Sequence, residues 1–183
     1  GGFTLGLTAG TGSITFTGIV GGGGALGAIT INSALNVGAA AITAASLTQS
    51  AGTGTTTLGG VVTSTGAVSF TTSTFTNSST INGTGLTVTA TTPSLGTVNV
   101  GAGAVTLNAG ATAVNIGTNI GALTAGSLSV TTTGAISGTN TSALSAVTLS
   151  GSSIGTATTA LTLGAIGTLN GTVTGLTAST PTA

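Results

Sequence analysis

Leu86-Thr87-Val88-Thr89, a turn over Pro93 to Gly96, Val98-Asn99-Val100 and a Gly/Ala turn from Gly101 to Ala104 form one unit, and at Val105-Thr106-Leu107 the unit starts again. Each apolar-polar-apolar run has the period of a half-buried strand, with alternate side chains on opposite faces. A restart after so short an interval is the mark of a coil that repeats. The same opening recurs at Val68, Leu86, Val105, Leu128 and Val147, which lie 18, 19, 23 and 19 residues apart. Coils also open at Ile29-Thr30-Ile31, at Leu47 and at Leu169, and the first carries Leu5 and Ile14-Thr15-Phe16. No helical period competes, because Thr, Gly and Ser fill the windows where helix formers would be needed.

One such coil cannot fold alone. Its four or five inward aliphatic side chains gain less on burial than the backbone entropy of ordering the coil costs. Stacked coils share main-chain hydrogen bonds at a spacing of about 4.8 Å and bury one continuous apolar column. Gly and Ala at the corners let the chain turn sharply. The sequence therefore predicts an all-β, parallel β-helix (β-solenoid) of about nine coils of roughly 20 residues. Residues 1–183 read as a single repeat segment, part of a larger chain or of a polymer. A third arrangement, a β-sandwich filament subunit that donates strands between copies, is the structural alternative.

The composition narrows the chemistry. The chain has no Lys, Arg, Asp, Glu, His or Cys, where an ordinary domain carries roughly 25% charged residues. General acid–base catalysis has no candidate group, and no carboxylate, imidazole or thiolate is present to hold a metal. No enzyme activity, no cofactor and no metal site are expected. Gly151-Ser152-Ser153-Ile154-Gly155 has the spelling of a nucleophile elbow, but without a base it reads as a corner of small residues. The absence of a basic patch argues against nucleic acid and anionic membranes as partners. No apolar run is long enough for a transmembrane helix, no aromatic girdle suggests a membrane barrel, and no cationic leader is visible.

Asn36, Asn99 and Asn115 each lie between apolar residues, outward or in ladders between coils. Asn-x-Ser/Thr occurs at Asn77, Asn82, Asn140 and Asn170, as expected by chance where Thr and Ser make up about a third of the chain. Terminal coils expose unpaired edges that no charged residue protects, so self-association through the coil ends is expected.

Thr-x-Thr pairs invite a functional reading. Thr15/Thr17, Thr55/Thr57, Thr74/Thr76, Thr131/Thr133 and Thr172/Thr174 lie near multiples of one coil length apart. Stacked on a flat face they would make a regular array of hydroxyls and methyls, resembling the surface of β-solenoid ice-binding proteins. The plainer reading is that Thr fills outward strand positions, and Thr87/Thr89 breaks the spacing.

The wording of two stretches, Leu7-Thr8-Ala9-Gly10-Thr11-Gly12-Ser13-Ile14-Thr15-Phe16 and Ser46 to Leu58, resembles the degenerate strand repeats of filamentous haemagglutinin and autotransporter adhesins. That resemblance implies a right-handed parallel β-helix, a secreted or cell-surface location, and a role as stalk, fibre or adhesin shaft with a host or surface ligand. It brings no functional residues with it.

With no titratable side chain, folding stability should be nearly flat with pH, since proton linkage needs groups whose pKa changes on folding. Urea midpoints at pH 5 and pH 8.5 are expected to agree within the error of the measurement. A marked difference between them would contradict the linkage argument.

Overall fold

The computed structural model describes residues 2–140, 142–151, 153–154, 161–164 and 166–172. Among them there is no helix, and all the strand pairings are parallel. The chain winds into a β-solenoid of about seven turns, and its longest face stacks nine strand segments, in keeping with the coil openings read from the sequence. The strand-donating sandwich is thereby excluded, because face-to-face antiparallel sheets would need pairings that do not occur here.

Each turn has up to three strand segments, which define three faces. The first face is the longest. It stacks Leu5–Thr8, Leu26–Ser33, the second half of Ile42–Gln49, the start of Ala67–Asn82, the start of Gly85–Asn99, Ala104–Asn108, Ser127–Thr131, Leu144–Ser150 and Ile166–Thr172. The second face stacks Ile14–Phe16, Val37–Ala39, Thr55–Leu58 and the middles of Ala67–Asn82 and Gly85–Asn99. The third carries the first half of Ile42–Gln49, Val62–Ser64, the ends of the two long strands and Leu123–Thr124.

Register converts sequence alternation into rows. On the first face Leu5, Ile29, Leu47, Val68, Leu86, Val105, Leu128, Val147 and Leu169 lie directly above one another. From Ile29 to Val147 every member of that row is buried. The branched aliphatic side chains suit this pleated, close-packed surface. A second inward row runs Leu7, Ile31, Gln49, Phe70, Val88, Leu107, Val130, Leu149. Phe70 meets Phe75 of the adjoining face with ring centroids 4.7 Å apart and planes tilted by 37°. These two rings are the largest fully buried side chains in a core otherwise built of Val, Leu, Ile and Ala.

The second face is interrupted. The long coil between Val105 and Leu128 inserts a loop, and Val114–Ile116 heads a separate sheet with Ala135–Asn140, Ser153–Ile154 and Leu161–Leu163. Pro93 stands at the break, and its ring nitrogen has no proton to offer a following strand. Asn119 spans the gap. Its Nδ2 donates to the Pro93 carbonyl at 2.9 Å, its Oδ1 accepts from the Asn115 N–H at 2.8 Å, and its carbonyl accepts from the Leu95 N–H at 2.6 Å.

One corner is set by steric demand. The position two residues before the first inward row is Gly27, Ala45, Gly66, Thr84, Gly103, Gly126, Ser145 and Gly167. A Cβ at Gly66 would stand 2.7 Å from the Ala45 carbonyl oxygen, and one at Gly103 would collide with the Thr84 carbonyl. Gly101 serves a different need. It has φ +58° with open space around it, and Gly103 N–H bonds the Val100 carbonyl at 2.8 Å. A positive φ at the second turn position is the requirement of a type II′ turn.

The two glycines should therefore fail differently. Gly103→Ala is expected to lower unfolding stability by about 1–3 kcal/mol through steric overlap, with no relief from Gly103→Asn. Gly101→Ala should cost about 1–2 kcal/mol, and Gly101→Asn less, because Asn tolerates the left-handed region. Urea titrations of the four variants check this, and equal costs for Gly101→Ala and Gly101→Asn would refute the assignment.

Candidate functional site

With no ionisable side chain, any site must be built from hydroxyls, amides and methyls. The first face offers the longest such arrangement. Between its two buried rows runs an outward row: Gly6, Thr30, Thr48, Ser69, Thr87, Thr106, Ser129, Thr148 and Asn170. From Thr30 to Thr148 each of seven successive rungs places a hydroxyl there. None of these seven hydroxyls hydrogen-bonds another described residue. They are exposed or half-buried, and free to bond water.

A second outward row flanks the first: Thr71, Thr89, Asn108, Thr131 and Ser150. Within it Asn108 Nδ2 donates to Thr89 Oγ1 at 3.2 Å. On the other side lies a row of small residues, including Ala28, Ser46, Ala67, Gly85, Ala104, Ser127 and Ala146. A groove follows the corner beside the second row, with Thr72, Ala90 and Thr132 on its floor. Successive rungs lie about 4.8 Å apart, and outward neighbours along one strand about 6.7 Å apart.

The Thr-x-Thr residues are distributed over two faces. Thr55 stacks under Thr74 and Thr92, whose hydroxyls lie 3.2 Å apart. Thr15, Gly38, Thr57, Thr76 and Ser94 form the neighbouring row of the second face. Thr17 is exposed just beyond the end of its strand. Thr131 belongs to the first face, and Thr133 sits at the next corner with Oγ1 donating to the Gly110 carbonyl at 3.4 Å. Thr172 pairs with Ser150 on the first face, and Thr174 lies outside the described residues.

The first face's central row was not among these pairs. Its members are the middle residues of the triplets that open each coil, such as Ile29-Thr30-Ile31 and Val105-Thr106-Leu107. A count of single hydroxyls between aliphatic neighbours would have found it. A search for paired threonines did not.

The asparagines act as short ladders. Asn36 reaches both ways, with Nδ2 donating to Ser13 Oγ at 3.3 Å and Oδ1 accepting from the Thr55 N–H at 2.8 Å. Asn99 Nδ2 donates to Asn82 Oδ1 at 3.4 Å. Asn77 is buried, and its amide closes its own turn against Ser79. Ser153 of the elbow-like stretch is a strand residue, while Ser152 and Gly155 lie outside the described residues.

One polar cluster is internal. Gln49 occupies an inward position between Ile31 and Phe70 and is 1% exposed. Thr56 Oγ1 donates to Gln49 Oε1 at 2.7 Å and lies 3.3 Å from Thr72 Oγ1, which donates to the Gly54 carbonyl at 2.9 Å. Gln49 Nε2 is buried without a partner.

The fold and these rows define a charge-free β-solenoid repeat protein. Neither the protein-family models nor the curated proteins nor the solved structures yield a match to the chain.

An orphaned amide in a core costs about 1–3 kcal/mol, while replacing both partners by apolar groups of similar shape is near neutral or stabilising. The double variant Gln49→Leu/Thr56→Val is expected to unfold at higher urea concentration than the parent. A lower midpoint would show that the polar cluster contributes net stability.

Proposed function

We propose that the chain is a rigid structural segment of a secreted or cell-surface protein, a stalk, fibre or adhesin shaft, with no catalytic role of its own. The observation that carries this reading is the first face: nine strands paired in parallel register over a continuous aliphatic row. Such a column resists bending because each rung is bonded to the rungs on both sides and shares their core. The composition supports the non-catalytic part, since the sequence has no carboxylate, imidazole, thiol, amine or phenol side chain to transfer a proton. It also disfavours nucleic acid and anionic membranes as partners, because no cation is available to meet a phosphate. The adhesive part, with its surface ligand, rests on the resemblance of the repeats alone.

Phe3 is 80% exposed and Ile19 67% at one end of the described coil, and Leu169 is 52% exposed at the other. Among the described residues, the strands Leu5–Thr8 and Ile166–Thr172 each have a neighbour on one side only. These apolar ends favour self-association, with a second copy covering them.

Small-angle scattering and surface labelling of producing cells test the two halves of the proposal. The expected particle is a rod about 40 Å long for nine rungs at about 4.8 Å each, lengthening by whole multiples if copies stack. Labelling of intact cells by a reagent that does not cross membranes is expected to reach the chain. A near-spherical particle ends the stalk reading, and labelling only after lysis ends the surface assignment.

A further inference from the structure

We propose that the first face is an ice-binding surface, whose occupant is a crystal plane of water. The inference does not depend on the stalk reading. Three observations combine. The central outward row repeats a hydroxyl on seven consecutive rungs with the register of the strand ladder beneath it. None of those hydroxyls is engaged by the described residues. No charged side chain stands anywhere on the chain to impose its own hydration shell.

The geometry suits a lattice better than a soluble ligand. Hydroxyl oxygens of the central row recur at about 4.8 Å along the coil, one on each of seven rungs, a short periodic spacing that a crystalline surface can match and a single solute cannot. Waters bonded to successive threonines are held at nearly the spacing they take in the crystal. The γ-methyl groups of Thr30, Thr48, Thr87 and Thr106 lie between those waters, where they favour ordered cages over hydrogen bonding to protein. Serine at Ser69 and Ser129 keeps the oxygen and drops the methyl. A solute molecule would need a concave site with convergent polar groups; the groove at the corner is lined by the second row, and the central row lies outside it.

The other faces lack one ingredient each. The second is interrupted where Asn119 bridges Pro93 and Asn115, and its Thr74 and Thr92 hydroxyls bond each other. On the third the outward row passes through Asn82 and Asn99, whose amides are also mutually bonded. Only the first face has a long, unbroken and unpartnered hydroxyl row among the described residues.

Thermal hysteresis and inhibition of ice recrystallisation test the proposal on the full chain. The parent protein is expected to be active at high micromolar concentration. Thr87→Lys and, separately, Thr106→Lys place a hydrated charge in the middle of the row and should reduce hysteresis by more than half. Thr63→Lys on the third face serves as control and should leave it unchanged, with melting curves recorded for all three variants. Inactive parent protein overturns the proposal. So does equal loss in Thr63→Lys and Thr87→Lys at matched stability, which would place the activity elsewhere. If Thr87→Lys proves unstable, Thr106→Lys carries the same comparison.

Discussion

Parallel pairing in strict register is the constraint from which the structure follows. When each residue sits above a residue of the same role, aliphatic side chains form rows that close-pack along the whole coil. Outward residues form rows by the same operation. A slip of one residue would exchange the two sets and put Thr87 in the core and Val88 in water. The inward row from Ile29 to Val147 is thus both the main source of stability and the device that orders the surface.

The pairing tolerates unequal coil lengths because the differences are absorbed away from the first face. The coil between Val105 and Leu128 is longer than its neighbours, yet Val105 still pairs with both Leu86 and Leu128. Its extra residues loop out on the second face, where Asn119 satisfies groups that the ladder leaves open. A single amide with one acceptor and one donor end replaces the missing strand contact, and the core beneath, including Leu95, Ile116 and Ile120, stays buried.

Much of this was legible in the sequence, and for a definable reason. The openings at Ile29, Leu47, Val68, Leu86, Val105, Leu128 and Val147 are the members of one buried row, which Leu169 continues at its exposed end, because the alternation of Leu, Val and Thr is the pleat itself. The corners were readable from Gly101 to Ala104, where the steric and dihedral demands of the turn leave few residues to choose from. What could not be read was which coil position faces which side, since three faces share one alphabet of Thr, Ser, Val and Leu. That ambiguity dispersed Thr55, Thr74 and Thr131 over two faces. The polar cluster at Gln49 was legible only in part: the alternation from Leu47 already turns Gln49 inward, but its partner Thr56 lies on another face and the sequence does not pair them.

The corner that runs from Gly27 through Gly66 and Gly103 to Gly167 bears on how such a chain changes over generations. Most turns enter the first face through Gly, Ala or Ser at an equivalent position, so excising or duplicating a whole turn rejoins like with like. Unequal crossing-over between the coding repeats would then alter the height of the rod in quantised steps while leaving its cross-section intact. Length becomes a heritable variable separate from stability, and it is the repeat boundary, more than any single side chain, on which selection acts.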